Sequence, residues 1–123
     1  MEQNHHHQNP EIWFRSSPTV SFEALSKLIE TESIVATPRL GKRDEAHPKG
    51  YVPGTKATLR LFDDNQQEKL RKQVHITKVV SKPLRDFPDW QSVQKDISFF
   101  EDRPVALDEI VSLVAFSYLN HKG

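Results

Sequence analysis

The chain has 123 residues, 36% hydrophobic and 9% aromatic, a length and apolar content that suit one self-sufficient domain. It contains no cysteine, which excludes disulfides, thiolate metal sites and cysteine nucleophiles; with no leader-like start and no apolar run of about 18 residues, a soluble cytoplasmic protein is expected. Its formal net charge is zero but unevenly spread: residues 1–38 carry −3, residues 39–85 carry +7 and residues 86–123 carry −4, so the middle is the candidate anion-facing part, against the plainer reading that the folded chain interleaves these blocks.

Residues 1–10 are polar and aperiodic, which predicts a disordered tail ahead of a single domain over 11–123. His5, His6 and His7 are competent ligands, but such a tract lacks neighbouring acceptors to orient its rings, and no metal or cofactor is expected. Ile12 to Arg15 is a short apolar run that reads as an edge strand. Ser21 is a suitable N-cap for a helix carrying Phe22, Leu25, Leu28 and Ile29 at helical spacing. Ser33 to Thr37, with Ile34 and Val35, runs into Pro38 and predicts a strand.

From Arg39 to Gly54, five Gly and Pro residues interrupt a charged stretch, predicting a long loop of the kind that often carries function. Arg39, Lys42 and Arg43, followed by His47 and Lys49, place cations on that loop, and the planar arginine fork suits phosphate oxygens. Trp13, Phe14 and Tyr51 are candidates for a stacking surface beside them, against the plainer reading that they fill the core. A pI near 7.0 is lower than a dedicated nucleic-acid binder shows.

Thr55 to Phe62 alternates Ala57, Leu59 and Leu61 with Lys56, Thr58 and Arg60. After turn chemistry at Asp63, Asp64 and Asn65, Leu70 to Val80 alternates again, with Leu70, Val74, Ile76 and Val80 inward. The two predict an antiparallel hairpin on which Lys56, Arg60, Lys69, Arg71 and His75 share a basic surface. Asp86 to Phe100 returns to helical spacing through Phe87, Trp90, Val93, Ile97 and Phe100, with Pro88 in the first turn. Ile110 to Leu119 is apolar on both alternating faces, as a strand covered on both sides requires.

No nucleophile motif surrounds His47, His75 or His121, and the Gly-rich phosphate loops and His-Glu-x-x-His are absent. Asp86, Asp89, Asp96, Glu101 and Asp102 read as a solvated helix face rather than as opposed catalytic carboxylates.

The order of helix, strand, basic loop, hairpin, helix and strand resembles the ASCH domains of the PUA-like superfamily. Ile29 to Arg39 (IETESIVATPR) is similar to that family's helix end and arginine-terminated strand, and Gly50 to Phe62 (GYVPGTKATLRLF) to its Pro/Gly turn and barrel strand. His75 to Leu84 and Ser112 to Leu119 resemble its next strand and its closing strand. The resemblance implies an α+β fold, a mixed β-barrel with two flanking helices, and a cleft for RNA, a nucleotide or a modified base.

Thr31, Glu32 and Ser33 stand where the family carries Gly-x-Lys, so the motif lysine of its amidohydrolase subfamily is absent, while Thr37 matches that subfamily's threonine. The leading expectation is therefore a monomeric RNA- or nucleotide-binding module with Thr37, Arg39, Lys42, Arg43, Lys56, Arg60, Arg71 and His75 at the ligand. The alternatives are a small amidohydrolase acting on a modified nucleoside, using Thr37 and a carboxylate such as Asp86, and a protein-interaction module guided by its charge blocks.

Overall fold

The structure, a computed structural model, describes residues 10–43 and 50–119. The expected tail with its three histidines, His47 and Lys49 of the basic loop, and His121 lie outside the described residues.

Five strands, β1 (Glu11–Phe14), β2 (Ala36–Leu40), β3 (Lys56–Phe62), β4 (Glu68–Pro83) and β5 (Ile110–Tyr118), form one sheet in the order β1-β3-β4-β5-β2. β1 runs parallel to β3, and every other pairing is antiparallel. Helices α1 (Phe22–Glu30) and α2 (Trp90–Glu101) flank the sheet, which curls into a half-barrel with β1 and β2 as its edges.

The β3–β4 hairpin follows the alternation in its sequence: Ala57, Leu59 and Leu61 are fully buried, and so are Val74 and Ile76 across from them. Its turn is closed by Asp63, whose Oδ1 accepts the N–H groups of Asn65 and Gln67, each at 2.9 Å. The alternation fails once. The register steps from Ile76–Phe116 to Lys78–Ala115, leaving Thr77 as a bulge, so the pleat changes phase and Val79, rather than the expected Val80, packs on the core.

β5 lies between β4 and β2, which explains its apolar character on both faces. Val114 and Phe116 join Ile12, Leu25, Ile29 and Leu59 in the barrel interior, whereas Val111 and Leu113 meet Leu84, Val93 and Ile97 on the α2 side. Replacing a fully buried residue such as Leu59 by Ala is expected to cost about 2–5 kcal/mol.

The N-cap of α1 is as read: the Ser21 Oγ accepts from the Ala24 N–H at 3.2 Å. Two elements start later than the sequence suggests. The strand read at Ser33 to Thr37 sits at Ala36–Leu40, so Arg39 and Leu40 are strand residues and not loop. Val35 and Gly41 exchange hydrogen bonds with β5, which turns the missing N–H of Pro38 toward the free edge, where it costs no ladder bond. Pro38 therefore interrupts nothing. Pro88 precedes α2 instead of occupying its first turn, because a short 3-10 turn (Leu84–Asp86) comes first.

Candidate functional site

The edges β1 and β2 face each other across the mouth of the half-barrel. The N–H of Thr58 bonds to the carbonyl of Pro10, so the carbonyls of Glu11 and Trp13 point away from β3. Side chains satisfy both. The Tyr51 hydroxyl donates to the Glu11 carbonyl at 2.8 Å, and the Arg39 Nη2 donates to the Trp13 carbonyl at 2.8 Å. Arg39 thereby ties one edge of the sheet to the other, and two unpaired backbone acceptors of an edge strand are capped.

Arg39 Nη1 also donates to Thr37 Oγ1 at 2.7 Å and to the Pro38 carbonyl at 3.0 Å, and its guanidinium carbon lies 5.2 Å from the centre of the Phe14 ring. Among the described residues these partners are all neutral oxygens, and no carboxylate lies within ion-pair distance. Burial pushes the Arg39 pKa below its ordinary value; the Tyr51 hydroxyl pulls it back up and the Arg43 charge lowers it further. Even so, an arginine keeps its charge in a protein.

Around this residue the mouth opens as two adjoining lobes of about 210 and 220 Å³. Trp13, Phe14, Arg15, Arg39 and Phe100 line both; Arg43, Phe62 and Glu101 belong to the first, Thr37 and Asp96 to the second. The Arg15 guanidinium stacks on Phe100 at 4.9 Å. Asp96 is engaged by Thr19, which bonds it through its N–H at 3.3 Å and its hydroxyl at 2.5 Å.

Arg43 is placed by a buried serine. Ser112, fully inaccessible, donates its hydroxyl to the Gly41 carbonyl at 2.7 Å, accepts the Arg43 N–H at 2.8 Å and meets the Ser81 hydroxyl at 2.7 Å. Because the Ser112 hydrogen goes to Gly41, Ser81 must be the donor of that last bond. Arg43 Nε then bonds to the Leu40 carbonyl at 2.7 Å, and its own carbonyl receives the Tyr51 N–H at 2.8 Å. The two described ends of the basic loop are thus pinned together.

Of the residues singled out in the sequence, Thr37, Arg39 and Arg43 come together in this cleft, while Lys42 is exposed just beyond it. Arg60 and Arg71 face each other on the hairpin, and Lys56 faces His75 further along it. The expected continuous basic surface is broken by carboxylates. Arg60 bridges Glu11 and Glu68, each at 3.0 Å, and Arg71 Nε reaches Glu68 at 2.6 Å.

The two guanidiniums, Arg71 first, pull the Glu68 carboxyl down to about 2. Arg60 also lies 5.1 Å from the Trp13 ring and 5.0 Å from that of Phe62, and its Nε is buried without a hydrogen-bond partner. Asp86, in the 3-10 turn, lines neither lobe and so does not stand beside Thr37.

Sequence reasoning missed Arg15, Phe62, Phe100 and Ser112. Arg15 was visible only as the last residue of a short apolar run, and Ser112 only as a polar interruption of an otherwise apolar strand. Among the described residues no group of three or more His, Asp or Glu is placed to hold a metal ion, and no helix is long and apolar enough to cross a membrane.

No family model and no curated protein matches this chain. Among solved structures, it is similar to a protein from Enterococcus faecalis V583 described by the family model DUF984, with a TM-score of 0.57 at 14% identity over 89% of this chain and 76% of that one. An ASCH domain from Lactobacillus crispatus JV V101 gives a TM-score of 0.45 at 12% identity over 86% of this chain and 79% of that one. At such identities the likeness concerns the fold. The curled, mixed five-stranded half-barrel with two flanking helices is the α+β architecture expected from the sequence, and it is the fold shared with the DUF984 protein.

Proposed function

We propose that this chain is a binding module for RNA or a nucleotide, which it engages through the cleft between β1, β2 and α2. One observation carries the reading: Arg39, partly desolvated, sits in a cleft with two further cations, Arg15 and Arg43, and none of the three forms an ion pair among the described residues. The three cations outnumber the two carboxylates on the walls of the cleft, Glu101 and Asp96, so an anionic ligand relieves the remaining repulsion. The first lobe adds the aromatic faces of Trp13, Phe14, Phe62 and Phe100, which suit a flat base.

The polar character of the first lobe narrows the ligand further. Its three arginines are donors only, and Glu101 is the carboxylate on its wall. An occupant rich in acceptor oxygens, as phosphates and base carbonyls are, matches that donor set.

The test is fluorescence anisotropy of labelled single-stranded RNA over a series of salt concentrations. Three phosphate contacts predict that the logarithm of the binding constant falls with the logarithm of salt at a slope of about −2, and each of R15Q and R43Q makes that slope shallower by about 0.7. Absence of binding at low salt, with a Kd weaker than the order of 10⁻⁴ M for every RNA tried, contradicts the reading.

A further inference from the structure

Among the described residues Trp13 is the most exposed of the large apolar side chains, 57% open, yet it is clamped. Its indole N–H donates to Glu11 Oε1 at 2.6 Å, the Phe62 ring lies 4.7 Å away with a 43° tilt, and Arg60 stacks against it at 5.1 Å. Glu11 is itself held by Arg60 at 3.0 Å. The backbone is fixed too, since Trp13 pairs with Arg60 in the β1–β3 register and its carbonyl receives the Arg39 bond. A side chain immobilised in this way has already lost the rotamer freedom that binding otherwise removes.

Trp13 borders both lobes together with Phe100, which is 37% exposed and carries Arg15 over its ring. Each lobe, at about 210 and 220 Å³, is smaller than the pockets of roughly 300–1,000 Å³ that enclose a drug-sized molecule. A base or a phosphate fits inside. Whatever is attached to it must leave over the rim, where aromatic faces and an arginine combine as they do in sequence-tolerant stacking platforms. Neither Arg15 nor Arg43 is ion-paired with a carboxylate among the described residues, so both offer their charge to the phosphates of a strand that crosses the rim.

Resting on the proposed RNA reading, we infer that the occupant is a single strand of at least two nucleotides, one held against Arg39 in the cleft and its neighbour stacked on Trp13 at the rim. A lone mononucleotide leaves the platform empty. A duplex cannot use it, because its bases are already stacked and paired.

The experiment measures binding of oligouridylates and oligoadenylates of one, two, four and six nucleotides, with a duplex of equal length as comparison, to the wild-type protein and to its W13A and W13F variants. The inference predicts an affinity gain of about tenfold between the mononucleotide and the four-nucleotide strand, which is about 1.4 kcal/mol. It predicts that W13A loses most of this gain, that W13F keeps it, and that the duplex binds more weakly than the single strand. Mononucleotide binding that does not improve with length, or an unchanged gain in W13A, overturns the inference while leaving the cleft reading standing. No binding at any length, or binding to a protein partner alone, removes the cleft reading and the inference with it.

Discussion

The outward face of the β3–β4 hairpin and the cleft between β1 and β2 both gather cations, in opposite electrostatic conditions. On the hairpin side Arg60 and Arg71 share Glu68, and Lys69 lies 3.7 Å from Asp63. In the cleft Arg15, Arg39 and Arg43 contact rings, backbone carbonyls and a hydroxyl, and none of them is ion-paired with a carboxylate among the described residues. Counting charges along the chain ranks the hairpin at least as highly as the cleft. What distinguishes them is compensation: a cation already paired offers an incoming anion little, and exposed pairs of this kind contribute little to stability either.

The comparison breaks most sharply at Arg39. R39L removes the bond to the Trp13 carbonyl and takes the donor from the part-buried Thr37 hydroxyl and Pro38 carbonyl, so urea denaturation should show a loss of about 1–3 kcal/mol, and RNA affinity should fall more than about tenfold. Next in size is S112A. It strips the donor from Gly41 and the acceptor from Arg43, at a cost of about 1–3 kcal/mol, and lowers RNA affinity through a displaced Arg43.

A pH series sharpens the hairpin side. Because the Glu68 carboxyl is held at about 2, below its ordinary 4.5, its stabilising contribution is complete above the ordinary value and is lost as the pH falls toward 2. Thermal melts between pH 7 and pH 2 should lose part of this acid sensitivity in E68Q; the part due to Glu109, held at about 2 chiefly by Arg103, persists. E68Q also frees Arg60 and Arg71 from their shared partner, so RNA binding at neutral pH should strengthen, by about twofold. The smallest effect belongs to R71Q, for which anisotropy should detect less than about a twofold change in RNA affinity.

Much of this fold was legible in the sequence, for reasons that can be named. Strict alternation at Ala57, Leu59 and Leu61 and the N-cap at Ser21 are local signals, and both are obeyed. The displaced β2 was not legible, because Pro38 reads as a strand breaker unless one knows that its nitrogen faces a free edge. The Thr77 bulge likewise has no sequence signal: it is a property of the β4–β5 register, and it alone exchanges Val80 for Val79 in the core.

The site was half legible. Thr37, Arg39 and Arg43 could be picked out by residue type and position, but the neutralisation of Arg60 and Arg71 depends on Glu11 and Glu68, which only the β1–β3–β4 pairing brings to them. The aromatic wall depends on α2 bringing Phe100 to the mouth, a long-range contact that helical spacing does not announce.

The contrast between the two regions is tested most directly by amide NMR of ¹⁵N-labelled protein titrated with a short single-stranded RNA at low and moderate salt. The account predicts that shifts concentrate on Trp13 to Arg15, Thr37 to Arg43 and Ile97 to Glu101, weaken as salt rises, and leave Lys69 to Gln73 nearly unmoved. Shifts centred on the hairpin instead, or none at all, would contradict it.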